Sequence, residues 1–174
     1  MKQGRGKGDT PVPLLRFALF YEIFSINCFS SSCLISSGEA HIIIGFEPLE
    51  TLRMARKYAG LNTMVVYDSR PVYPLGVLQG VQTYPALEDI TAEIQALSAA
   101  AYAVPAADIA MGVGDSRAAN IALLGAFTQL PDAPLSREDL EKILAKRFKG
   151  AVLELNKKAF AMGCEAVSGK GGRA

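Results

Sequence analysis

The side chains that could carry chemistry are few and scattered. The sequence has one histidine, His41, and three cysteines, Cys28, Cys33 and Cys164. A Ser-His-Asp or Cys-His relay would have to be built on His41. That residue lies in an isoleucine-rich run, where a locally hydrogen-bonded strand residue is the ordinary reading. Cys28-x4-Cys33 has no second cysteine pair and no histidine beside it, so neither a zinc site nor an iron–sulfur cluster is spelled out. An odd number of cysteines at this wide spacing is no disulfide framework either. Two glycine-bearing stretches imitate phosphate loops. Gly112-Val113-Gly114 follows no strand and lacks the third glycine, which leaves a helix C-cap and turn. From Gly163 to Lys170 the spacing is one residue too long, and Gly171 stands where the hydroxyl residue belongs. No catalytic, cofactor-binding or metal-ligating residue is therefore assigned. What remains is polar residues at element ends, chiefly Glu47 and Arg70, with Arg117 and Asn120 further on.

Those residues depend on a strand–helix–strand unit from Gly38 to Gly80. Ala40 to Phe46 is a short apolar run, the pattern of a strand buried on both faces. Pro48 suits the first turn of the helix that follows, where its missing N–H costs nothing. Leu49, Leu52 and Ala55 fall at helical spacing, and Gly60 with Asn62 ends the helix. Thr63 to Tyr67 is a second β-branched run, closed by Asp68-Ser69-Arg70-Pro71. Parallel pairing of the two strands would put Glu47 and Arg70 on one carboxyl-end rim, where an open α/β sheet meets its ligand or partner.

The rim continues into a proline- and glycine-punctuated segment, from Pro71 to Pro85, too apolar to be a mere surface turn. Such a segment packs across a sheet edge or against a partner. A helix is predicted over 87–101 and a short strand over 101–105. A short helix is expected over 109–114, and Asp115 or Ser116 can cap an apolar helix over 118–130. Arg117 and Asn120, three apart near its start, share a face. Ser136-Arg137-Glu138-Asp139 opens another helix as a capping box. Val152, Leu155, Ala159 and Met162 stripe a last one.

A chain of 174 residues, half of them hydrophobic and a fifth charged, fits one soluble domain with a real core. A net charge of +1 gives no footprint for nucleic acid. Met1 to Asp9 is basic, glycine-rich and of disordered composition. Leu14 to Ile35 is apolar, then serine-rich. As a secretory signal its apolar core would be only about eight residues before Glu22. As a membrane span it falls short of roughly twenty apolar residues and carries Arg16, Glu22 and Asn27. Two strands, or a strand and a turn, is the simpler expectation, with Cys33-Leu34-Ile35 entering the sheet. A cytoplasmic location without membrane contact follows from that reading.

From about Ser31 onward a run of motifs stands out: Cys33-Leu34-Ile35, Gly38-Glu39-Ala40 and Gly45-Phe46-Glu47-Pro48-Leu49-Glu50 with Leu52-Arg53. It continues through Arg70-Pro71-Val72-Tyr73-Pro74, Tyr84-Pro85 and Arg117-x-x-Asn120 into Leu123-Leu124-Gly125-Ala126. Leu153-Glu154-Leu155-Asn156 with Ala159-Phe160 completes it. In these motifs the chain resembles the small subunit of indolepyruvate:ferredoxin oxidoreductase, and more broadly the gamma subunits of 2-oxoacid:ferredoxin oxidoreductases. The resemblance implies a three-layer α/β/α, Rossmann-like domain with a mostly parallel sheet. The implied activity is oxidative decarboxylation of indolepyruvate or related aryl 2-oxoacids with coenzyme A, reducing ferredoxin. Thiamine diphosphate, magnesium and 4Fe-4S clusters would belong to the large subunit, on which this chain docks and without which it is inactive. Glu47, Arg70, Arg117 and Asn120 would then be partner-interface residues.

The N-terminus departs from that family, whose first strand is followed by a Gly-Gly-Gln-Gly turn and a helix. Residues 1–35 read as a divergent or truncated segment, 36–174 as the family domain, and the first βα unit as missing or replaced. A sheet stripped of that unit would expose an apolar face and a strand edge, so the isolated chain is expected to aggregate or to need its partner. The alternative is a stand-alone Rossmann-like small-molecule-binding module, which would call for a glycine fingerprint after its first strand.

Overall fold

The computed structural model describes residues 15–19, 22–26, 35–131 and 133–168, with side chains placed from residue 35 onward. Cys28 and Cys33, the basic stretch from Met1 to Asp9 and the tail beyond Ser168 lie outside the described residues. The described strands form one sheet in the order β2-β1-β3-β4-β5. They are β1 (Leu15–Leu19), β2 (Glu22–Ile26), β3 (Ile42–Gly45), β4 (Met64–Asp68) and β5 (Ala100–Val104). β1, β3, β4 and β5 are mutually parallel, and β2 closes one edge by antiparallel pairing with β1. The apolar stretch near the N-terminus thus forms two strands. This hairpin occupies the position beside β3 where the first βα unit was expected to be missing or replaced, and its two strands extend the sheet of the following domain.

Around the sheet stand α1 (Pro48–Tyr58), α2 (Leu75–Leu78), α3 (Leu87–Leu97), α4 (Ala106–Val113), α5 (Ala119–Phe127), α6 (Arg137–Arg147) and α7 (Gly150–Val167). The strand period of two divides the core in half. Ile42, Ile44, Val66, Tyr102 and Val104 face one side and pack with Ala110, Ala122, Leu123, Ala126 and Phe160 of α4, α5 and α7. Ile43, Val65 and Tyr67 face the other and meet Leu52, Ala55, Ile90 and Ile94 of α1 and α3. The three layers agree with the α/β/α expectation. Arg56 of α1 and Glu93 of α3 form a forked pair at 2.6 and 2.7 Å outside that second core.

α5 and α7 cross at backbone contact. A methyl group on Gly125 would lie 2.1 Å from the carbonyl oxygen of Phe160, and one on Gly163 would lie 1.9 Å from that of Ala122. Several boundaries differ from expectation for local reasons. The helix predicted over 87–101 stops at Leu97, because the Ser98 hydroxyl turns back onto the Ile94 carbonyl at 2.7 Å and the chain enters β5. α4 starts directly after Pro105, three residues before the predicted Ile109. Asp115 caps a 3-10 turn, Ser116–Ala118, which precedes α5 and takes Arg117 out of the helix proper.

Candidate functional site at the carboxyl edge

At the end of β3 the chain has no room to spare. A methyl group on Gly45 would fall 1.8 Å from the Thr51 hydroxyl, which itself donates to the Glu47 carbonyl at 2.6 Å. Glu47 is the N-cap of α1: its Oε2 accepts from the Glu50 N–H at 2.8 Å, with Pro48 in the first turn. Its Oε1 accepts the Tyr84 hydroxyl and, at a longer 3.5 Å, the Val72 N–H. Only 8% of the residue is exposed. Glu47 therefore stands on the predicted rim but turns inward, tying residues 72 and 84 to the start of α1. Burial, followed by the hydrogen bond and charge of Glu47, raises the Tyr84 phenol above the ordinary tyrosine range. The Tyr84 ring meets Tyr73 edge-on with centroids 5.2 Å apart.

β4 ends in a second buried carboxylate. Asp68 accepts the Arg70 N–H at 3.2 Å on Oδ1 and the Ala107 N–H at 3.1 Å on Oδ2, so it joins the strand exit to the first turn of α4. Burial raises its carboxyl above the usual range, against the lowering effect of those N–H groups. Arg70 leaves the same corner for solvent and stands 3.6 Å from Asp108, both side chains being more than half exposed.

The segment between the Asp68 corner and Tyr84 contains α2, none of whose residues is buried. Val72, Tyr73, Leu75, Leu78 and Val81 are all exposed. The expected apolar segment is thus an ordered projection beside the rim rather than a cover over the sheet.

Arg117 and Asn120 lie elsewhere in the hydrogen-bond network. Arg117 folds onto Asp115 at 2.7 and 3.0 Å, and this hydrogen bonding pulls the Asp115 carboxyl down to about 2. Asn120 is exposed in the first turn of α5. Among the described residues, no hydrogen bond or ion pair joins either of them to Glu47 or Arg70. Sequence reasoning passed over Asp68 and Tyr84 as site residues. A carboxylate closing a β-branched run was the available signal for the first, and Tyr84-Pro85 within the family resemblance for the second.

The opposite edge offers a groove of about 440 Å³ at the amino ends of β3 and β4, lined by Gly38 to His41 and Gly60 to Thr63. Cys164 is buried, its thiol donating to the Gly125 carbonyl at 3.3 Å. Among the described residues, no three His, Cys, Asp or Glu side chains stand where they could share a metal ion. No helix among them is long and apolar enough to cross a membrane.

Comparison with known proteins extends the picture. The family model described as pyruvate ferredoxin/flavodoxin oxidoreductase matches residues 24–166. The indolepyruvate oxidoreductase subunit IorB of Archaeoglobus fulgidus is 33% identical over 138 residues, covering 79% of this chain and 68% of that protein. The protein of the same name from Pyrococcus horikoshii is 32% identical over 134 residues, covering 76% and 66%. The chain thus spans about two thirds of the length of these relatives. Among solved structures, the keto/oxoacid ferredoxin oxidoreductase gamma subunit from Geobacter sulfurreducens aligns with a TM-score of 0.52 at 24% identity, over 78% of this chain and 68% of that one. The 2-oxoglutarate:ferredoxin oxidoreductase of Magnetococcus marinus aligns at 0.54 and 24%, over 80% of this chain and 22% of that one. At such identity the two structures speak for the fold alone.

Proposed function

The chain belongs to the pyruvate ferredoxin/flavodoxin oxidoreductase family, and from that premise we propose that it is the small, non-catalytic subunit of a 2-oxoacid oxidoreductase complex. The observation that carries the reading is the 33% identity over 138 residues to a protein named as a subunit of indolepyruvate oxidoreductase. Indolepyruvate or a related aryl 2-oxoacid is accordingly the substrate class. The complex decarboxylates it oxidatively onto coenzyme A and passes the electrons to ferredoxin, in the cytoplasm.

The cysteines of this chain do not suffice for the clusters that such chemistry needs. A 4Fe-4S cluster takes four thiolates, and the sequence has three cysteines, of which Cys164 is buried against Gly125. The reading places the clusters, and with them thiamine diphosphate and magnesium, on the large subunit, and no catalytic step is routed through this chain. Its work is to dock. Residues 36–174 form the docking domain, with 1–35 as its divergent N-terminal segment. Arg70, and at a separate place Arg117 and Asn120, contact the partner, while Glu47 shapes the rim from within.

Co-expression with the large subunit tests this. The expected result is a stable complex that reduces ferredoxin when given indolepyruvate and coenzyme A, each component alone being inactive. A chain that forms no complex, or that by itself retains a nucleotide in stoichiometric amount, would overturn the reading.

A further inference from the structure

The geometry points to residues 72–81 as the surface that the large subunit covers, an apolar projection held in place from its base by Glu47. The inference rests on the subunit reading above and names the contact that reading leaves open. Ten large apolar side chains are exposed among the described residues, and five of them fall inside this ten-residue window. Val72 is 67% exposed, Leu75 67%, Leu78 70% and Val81 77%, with Tyr73 at 48%. The other five are spread along the chain from Leu61 to Val152. No residue from Pro71 to Ala86 carries a charge. A water-facing loop of this length would ordinarily be studded with polar side chains, so an uncharged apolar one is built to be covered.

The projection is also pre-shaped. Leu75 and Leu78 lie three apart in α2, so they share a face. The Pro74 carbonyl accepts the Val77 and Leu78 N–H groups at 3.0 and 3.1 Å. The Gly76 carbonyl accepts those of Val81 and Gln82 at 2.9 and 3.0 Å, which folds Val81 back beside α2. At the base, Val72 and Tyr84 are both tied to Glu47. Such internal bonding removes much of the ordering cost that a loose segment would pay on association.

Size and lack of charge call for a protein occupant. The five side chains together expose on the order of 500 Å² of largely apolar surface, more than half of the about 800 Å² that each partner contributes to a standard interface. The fitting partner is thus a protein with an uncharged, apolar groove; the relatives are named as subunits, and on the subunit reading above that partner is the large one. Arg70 and Asp108, exposed at the foot of the projection, supply a polar rim to that contact.

The test uses the complex of this chain with its large subunit. A Leu75→Glu/Leu78→Glu variant places two charges in the contact, and Ile143→Glu on α6 is the control at an exposed site away from it. Affinity is read by sedimentation or surface binding, and folding by the melt of each isolated chain. The double variant is expected to bind on the order of 100-fold more weakly with an unchanged melt, while the control binds as the wild type does. Should the double variant fail to fold, Val81→Lys gives the same reading from the far side of the turn. Near-wild-type affinity of folded variants would overturn the inference and leave the subunit reading intact. Failure of the wild-type chain to bind the large subunit at all would overturn both. Self-association of the wild-type chain that the double variant abolishes, with large-subunit affinity kept, would assign the surface to a second copy and overturn the inference.

Discussion

Glu47 and Tyr84, 37 residues apart in sequence, share a hydrogen bond that ties the far end of the 71–86 segment to the first turn of α1. The same carboxylate caps α1 and receives the Val72 N–H, so one side chain fixes three stretches of backbone. An energetic and a dynamic consequence follow from the sharing.

Replacing Glu47 by alanine removes a helix cap and leaves the Tyr84 hydroxyl without its acceptor. The expected cost is about 1–3 kcal/mol in chemical denaturation. Hydrogen exchange should quicken at Val72 and through residues 75–82, while the amides of β3 and β4 stay protected. Glu47→Gln, which keeps an acceptor, should fall between the two. Uniformly quickened exchange would mean that Glu47 supports the fold at large rather than this segment.

Tyr84 gives the latch a signature in alkali. An unfolded phenol loses its proton near the ordinary value of 10.0, whereas burial and Glu47 hold the folded one above it. The resulting contribution to stability is complete below pH 10 and is lost as pH climbs toward the folded value. Wild type should therefore lose stability above pH 10 more steeply than Tyr84→Phe, in which Tyr67, also raised by burial, still contributes in the same sense. Parallel stability curves for the two proteins would count against the latch.

Asp68 works in the opposite pH range. Its folded carboxyl lies above the ordinary value of 3.8, with burial the leading cause. A raised value stabilises most below pH 3.8, and the contribution is lost as pH rises through the folded value. The difference in unfolding free energy between wild type and Asp68→Asn should move in favour of wild type as the solution is acidified from neutral toward pH 3.8. A difference that stays constant with pH would show that the carboxylate titrates alike in both states.

Arg70 should separate docking from folding. Its pairing with Asp108 is long, and both partners are exposed. An ion pair of this kind contributes about 0–1 kcal/mol to stability. Arg70→Ala is thus expected to melt as the wild type does, yet to weaken association with the large subunit about tenfold, read in the same binding experiment. Equal affinity would remove Arg70 from the interface.

How much of this could be read in advance depends on the range of each interaction. The unit of β3, α1 and β4 was legible because its signals are local: a β-branched run, a proline in the first turn and a closing Gly60. Glu47 and Arg70 could be assigned to one edge from strand direction alone. That Glu47 is buried could not, since a carboxylate after a strand reads as solvent-facing until Tyr84 is known to reach it. Asp68 was missed for the same reason, as its partner at Ala107 is 39 residues away. The hairpin of β1 and β2 was legible as strand-forming sequence, but its place beside β3 depends on pairing that no local pattern encodes.

The crossing of α5 and α7 limits how the sequence can drift. Most core positions can trade one side chain for another, with neighbours adjusting to the new shape. At Gly125 and Gly163 the neighbour is main chain, so an added carbon is accommodated only by moving a whole helix. Leu123 and Phe160, on those same helices, line the core on one face of the sheet. Substitutions there can therefore be exchanged piecemeal across lineages, while the two glycines can change only together with the helix spacing, and with it the seating of β4 and β5.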